Sequence, residues 1–315
     1  RDKSAGFIGL ITVSLFVTSA VSSFHNKCEM VQMFSLKTIG SVEHELTTPD
    51  CAVFYTPVYR LIFSLYANHL ASQQIDRLVE AKDRASVQSC AFNTKNIVLI
   101  IGESLGRHHS QQYGYFMKTT PRQIALEKAG NLIPFTDVVA PWNLTSFVFK
   151  NIFSMHVVGQ KGEWCDYPLF PQLFRKAGYH VSFITNQFLP QAKEAVYDFS
   201  GGFFLNNKEL SKSMFDTRNT RLHTYDEGLL ADYDNKLKAE NREYNLIIFH
   251  LIGCHVSYNR RYPADRKHFK ASDYKQKRPE LTLQRRYMLA HYDNAVLYND
   301  SIVNQIVKRF ANEEA

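Results

Sequence analysis

The chain has 315 residues, 45% hydrophobic and 21% charged, the proportions of a folded protein rather than a disordered one. That length suffices for one large α/β domain with an appendage. The net charge is +7, and the five cysteines (Cys28, Cys51, Cys90, Cys165, Cys254) show no C-x-x-C spacing, which argues against a zinc knuckle or a thioredoxin-type site.

From Ala5 to Phe24 no residue is charged. About 20 such residues, rising 1.5 Å each in a helix, span a bilayer core. A secretory signal, with small residues near Ser22 as its cleavage site, is the competing reading. The length favours a membrane-spanning helix, and the absence of an initiator methionine counts against the signal. Either way Arg1 and Lys3 mark the cytoplasmic end and the chain beyond Phe24 is exported. Disulfides are compatible with that compartment, and Cys28 with Cys51 is the expected pair. Nucleic acid is a poor fit as partner.

Residues 28–55 show no period and read as a linker. Thr56 at a cap and Pro57 in the first turn then signal a helix. Val58, Leu61, Ile62, Leu65, Leu70, Ile75, Leu78 and Val79 carry helical spacing through about Ala81. Such an amphipathic helix either lies on a membrane surface or packs on the next domain.

The globular domain opens near Asn93. The apolar runs Ile97–Ile101, His180–Thr185 and Leu246–Leu251 read as buried parallel strands. Helical segments lie between them, including Thr145–His156 and Pro171–Ala177, the latter stopped by Gly178. Alternating strands and helices imply a doubly wound α/β sheet. Ligands of such sheets sit beyond the carboxyl ends of the strands. The residues just past these strands are Glu103, Asn186 and the pair Gly253/His255.

The first strand ends in Gly102-Glu103-Ser104-Leu105-Gly106, a literal G-x-S-x-G. That pattern is the nucleophile elbow of serine hydrolases, with Ser104 reactive. It equally delivers a carboxylate, Glu103, to a sheet edge where a metal can sit. An elbow needs earlier strands to supply its oxyanion hole, and none is legible upstream of Ile97. Ser104 is therefore expected to cap the following helix, its hydroxyl used locally.

The second informative stretch is "VVAPWNLTSFVFKNIFSMH", residues 138–156. Thr145 stands at a helix start, where unpaired N–H groups and the positive end of the dipole favour a phosphate. A plain N-cap is the simpler reading. A threonine hydroxyl becomes a useful nucleophile when a base or metal activates it, and zinc held partly by Glu103 would do so.

At these residues a resemblance becomes specific. "GESLGRHHSQQYGYFMKTTP" (102–121), "NLTSFVFKNIFS" (143–154) and "FHLIGCHVSY" (249–258) occur in the order found in bacterial phosphoethanolamine transferases. These are membrane-anchored members of the alkaline phosphatase and sulfatase superfamily. The resemblance implies a sulfatase-like fold in residues 93–315, with residues 1–27 as the last transmembrane helix. Residues 28–92 would be a linker with an amphipathic bridging helix. It implies zinc as cofactor, Glu103 as a zinc ligand, and Thr145 as both ligand and nucleophile. It also implies that His255 binds or protonates the substrate phosphate and that Asn186 binds substrate. The donor would be phosphatidylethanolamine and the acceptor lipid A, lipopolysaccharide core or another surface glycan, at the periplasmic side of the inner membrane.

The sequence departs from the family pattern at several points. The family takes its other zinc ligands from a late Asp-His-Gly motif, and no Asp-His dipeptide occurs here. The chain is thus expected to be a gene fragment that lacks a complete metal site and is itself inactive. Pro141 and Asn151 stand where some relatives carry cysteines, and His255-Val256-Ser257 replaces His-Gly-Pro. Residues 256–287 hold ten Lys or Arg against three acids, a basic segment suited to an anionic acceptor or simply to solvent. A glycerophosphate transferase of the lipoteichoic acid type is chemically close. A metal-free binding module would keep the same fold without the chemistry, and a serine esterase would act through Ser104.

Overall fold

The computed structural model describes residues 3–46, 57–187, 189 and 204–311. The chain divides into two compact units, and the division falls within one helix, between Arg77 and Leu78. The expected Cys28–Cys51 pair and the Thr56 cap involve residues outside those described.

The first unit is helical: α1 (Lys3–Ser22), α2 (Phe24–Met33), α3 (Ile39–Leu46) and most of α4 (Pro57–Arg84). Ala5–Ser22 within α1 is long and apolar enough to cross a membrane, and its large side chains are exposed, Phe16 by 75%. Met33, Ile39 and Val42 are buried, as are Phe63, Ala67 and Leu70 of α4. The Tyr66 hydroxyl donates to the Leu36 carbonyl at 2.5 Å, tying α4 to the turn after α2. Val58, Leu61 and Leu65 form an exposed apolar row at helical spacing.

The second unit is built on four strands, β1 (Asn96–Ile101), β2 (His180–Thr185), β3 (Thr217–Arg218) and β4 (Asn245–His250). All pair in parallel in the order β1-β4-β2-β3, with Ile97 opposite Leu246 and Val181 opposite Leu246 on the other side. β2 and β4 are central and almost wholly buried, which is why their sequences are continuous apolar runs rather than alternations. The three long strands lie where the sequence placed them, within one residue at each end.

Helices cover both faces. On one face Ile184, Ile247 and Phe249 pack with Leu229 and Tyr233 of α9 (Glu227–Asn235) and with Val296, Ile302, Ile306 and Phe310 of α10 (Leu283–Ala311). The alternate residues face the opposite side. There Phe153 of α6 (Thr145–Phe153) lies edge-on to Phe183, ring centres 6.2 Å apart, and Phe149 lies against His250 at 4.7 Å. The same layer holds α7 (Phe170–Ala177), ended by Gly178 at φ +105°, where a left-handed residue closes the helix. α5 (Pro121–Lys128) and α8 (Lys208–Met214) complete the unit. Asp300 of α10 accepts the backbone N–H groups of Arg122 and Gln123, satisfying the open end of α5.

Candidate active site

The carboxyl ends of β1, β2 and β4 bring three loops together. The loop after β1 carries Glu103 and is held from two sides. The Tyr292 hydroxyl of α10 accepts the Gly106 N–H at 2.6 Å and donates to the Ser104 carbonyl at 2.7 Å. From the β4 side the Cys254 N–H donates to the Glu103 carbonyl at 2.9 Å. Gly253 sits at φ +49°, and a Cβ there would lie 3.0 Å from both N and O of Glu103. Only glycine meets both the backbone angle and the close approach.

The Glu103 carboxylate is the hub. Its Oε2 accepts from Thr145 Oγ1 at 2.7 Å and from Gln187 Nε2 at 3.4 Å, and its Oε1 accepts from Ser104 Oγ at 2.8 Å. Thr145 is therefore not the N-cap. Leu144 holds that position with extended backbone, and Thr145 is the first helical residue of α6, its hydroxyl turned to the carboxylate. The expectation that Ser104 caps a helix also fails, because the next turn, Arg107–His109, is preceded by Gly106. Ser104 has the left-handed backbone (φ +51°) of a strained turn. Its hydroxyl bonds to a carboxylate with no histidine partner among the described residues, so a serine triad is not assembled.

Asn186 lies at the end of β2 but does not open toward Glu103. Its Nδ2 donates to Asp226 Oδ1 at 2.9 Å and its Oδ1 accepts the His223 N–H at 2.7 Å. Asp226, buried, also accepts the N–H groups of Ile252 and Gly253 at 2.9 Å, and desolvation pushes its carboxyl pKa up against these bonds. The Asn186–Asp226 pair thus locks the ends of β2 and β4 together. The next residue, Gln187, is the one that reaches the site, and no sequence pattern singles it out. Its Nε2 lies 2.8 Å from the Leu251 carbonyl and 3.0 Å from His250 Nε2.

His250 is fully buried, and burial pushes its pKa down to about 3. A neutral ring that accepts at Nε2 from Gln187 keeps its proton on Nδ1, which lies 2.9 Å from Thr185 Oγ1. His255 is half-buried two residues past Gly253, its N–H on the Ile252 carbonyl at 3.1 Å and its own carbonyl accepting from Arg261 at 3.2 Å. Its ring has no hydrogen bond among the described residues. Beside Glu103 a cleft of about 700 Å³ is lined by Ser104, Leu105, Asn143, Tyr258, Arg285 and Met288, among others.

Glu103 and Thr145 place two oxygen donors side by side, which fits half of a tetrahedral zinc site. Among the described residues no group of three or more His, Cys, Asp or Glu side chains could hold a metal. These residues by themselves make a partial site.

Comparison with known proteins accords with this geometry. The Sulfatase family model matches residues 95–315. Phosphoethanolamine transferase EptC of Escherichia coli RS218 is 30% identical over 217 residues, covering 69% of this chain and 37% of that protein. The chain thus spans little more than a third of the length of that curated relative. A crystal structure of the periplasmic domain of E. coli EptC in complex with Zn is 27% identical, with a TM-score of 0.55 over 69% of this chain and 59% of that one. The integral membrane protein lipooligosaccharide phosphoethanolamine transferase A from Neisseria meningitidis, 16% identical, shares the fold with a TM-score of 0.54 over 98% of this chain and 52% of that one. By the span of the family match and the order of its motifs, the chain belongs to the Sulfatase family.

Proposed function

We propose that this chain carries the nucleophile half of a phosphoethanolamine transferase, which moves phosphoethanolamine from phosphatidylethanolamine to lipid A, lipopolysaccharide core or a related surface glycan. The observation that carries the reading is the 2.7 Å bond from Thr145 Oγ1 to Glu103 Oε2 at the carboxyl ends of a parallel sheet. In this reading the Thr145 oxygen attacks the donor phosphorus and its proton passes toward the carboxylate it already touches. The phosphorus–oxygen bond to diacylglycerol breaks, leaving phosphoethanolamine on Thr145. The acceptor oxygen then displaces Thr145. The unpaired N–H groups in the first turn of α6 face the phosphoryl oxygens, and His255 binds or protonates the phosphate.

Glu103 and Thr145 would hold zinc together with ligands that do not form a group among the described residues. When bound, the ion lowers the pKa of the hydroxyl and offsets charge on the phosphoryl group. Asn186 acts through the framework, and Gln187 orients Glu103. Residues 93–315 form the catalytic domain in the periplasm, with α1 in the inner membrane and residues 28–92 between them.

The test is peptide mass spectrometry on the full-length gene product in phosphatidylethanolamine-containing membrane, with and without a zinc chelator. A phosphoethanolamine mass on the Thr145 peptide, lost on chelation, is the expected result. An adduct on Ser104 would support the esterase, and no adduct on either would support a binding module.

A further inference from the structure

On α10, away from the Glu103 cleft, a groove of about 630 Å³ collects positive charge. Lys267, Lys270, Lys275 and Arg286 line it above the buried side chains of Phe269 and Ala290. No carboxylate lines the groove, and none of the four cations makes an ion pair among the described residues. The neighbouring Asp273 is engaged by the Lys270 N–H at 2.9 Å and the Ser272 hydroxyl at 3.3 Å. Arg286 Nε is buried without a hydrogen-bond partner among the described residues, a costly state for a charged donor. The groove also meets the first turn of a 29-residue helix with no acid in that turn, so basic side chains sit against the positive end of its dipole. Burial and the charge of Lys267 hold His291 below its ordinary pKa, leaving the lysines and Arg286 as the local charge.

Unpaired cations, an orphaned guanidinium N–H and a helix N-terminus are each unfavourable alone, and one anion relieves all three. The rim identifies its source. Leu283 and Tyr287 stand 58% and 52% exposed beside the cations. That mixture suits the boundary between headgroups and acyl chains better than bulk water. We propose that the groove is a phosphate site for the headgroup of an anionic membrane phospholipid, separate from the Glu103–Thr145 centre. It binds whether or not Thr145 turns over.

The full chain in neutral detergent is titrated calorimetrically with short-chain phosphatidylglycerol and, in a parallel arm, with inorganic phosphate. Saturable lipid binding is expected, weakened about ten-fold by Arg286→Gln and by Lys270→Gln, the loss of one charged hydrogen bond. Lys236→Gln, which neutralises an exposed lysine at the end of α9, should leave it unchanged. Lys270 is exposed, so its variant keeps the test valid if Arg286→Gln fails to fold. Equally tight binding of inorganic phosphate would overturn the lipid assignment. Binding indifferent to both groove variants, or equally reduced by Lys236→Gln, would overturn the site.

Discussion

Thr145 and Glu103 are 42 positions apart in sequence and one hydrogen bond apart in space. If Thr145 carries the phosphoryl group, Thr145→Ala abolishes the covalent adduct while Thr145→Ser retains it on the same peptide. A purely structural hydroxyl would let Ala and wild type be labelled alike. Glu103→Gln keeps the shape and removes the charge, so adduct formation should slow by about 10²–10⁴-fold, the range for loss of a positioned proton acceptor. A Gln variant labelled at the wild-type rate would take Glu103 out of the chemistry. Gln187→Leu withdraws a donor from the buried Leu251 carbonyl and from His250. Unmet buried acceptors cost roughly 1–3 kcal/mol, so the denaturant midpoint should fall at unchanged slope. An unchanged midpoint would mean that solvent replaces the amide.

At the scale of elements, the site depends on how β1 and β4 end. Gly253→Ala would put a methyl 3.0 Å from Glu103 N and O in a left-handed backbone. The strain is about 1–3 kcal/mol, and its relief moves Glu103, so adduct formation should fall along with the melting temperature. Loss of stability with full labelling would mean that Glu103 tolerates the shift. These same elements show what is legible in the sequence. β2 and β4 are readable because burial on both faces demands unbroken apolar runs, and the half-buried edge strand β1 carries such a run as well. Glu103 and Thr145 are readable because one follows a strand and the other opens a helix. Gln187 is not, because no local pattern separates it from Asn186. Which of two adjacent amides turns inward is decided by Asp226, in a turn 40 residues away, and by His250, at the end of β4 and 63 residues away. The Ser104 and Thr145 cap expectations fail for a related reason. Both hydroxyls find the Glu103 carboxylate, a tertiary partner that propensity does not register.

For the second unit as a whole, the fully buried His250 makes stability depend on pH. An exposed histidine in the unfolded chain takes a proton near 6.5, whereas the native ring resists until about 3. Between those values the unfolded state binds more protons, so stability falls as pH falls. The contribution is complete above about 6.5 and is lost at roughly 1.4 kcal/mol per pH unit on the way down. Asp226 and Asp300, whose pKa values burial raises, act in the opposite sense, because the native state holds their protons more readily. The clean comparison is therefore wild type against His250→Gln, which keeps those carboxyls and removes the ring. Urea unfolding at pH 7, 6 and 5 should show wild type losing about 0.7 kcal/mol more than the variant over the first unit and about 1.2 kcal/mol more over the second. Parallel pH curves would mean that the native site admits a charged imidazole. The loss also bears on the chemistry. A proton on His250 Nε2 would meet the Gln187 N–H that now points at it, and Gln187 is the amide that reaches Glu103. Because the folded ring takes that proton only near pH 3, labelling of Thr145 by the folded protein should decline in parallel in wild type and His250→Gln between pH 7 and 5, and a steeper decline in wild type would mean that the native ring titrates in that window.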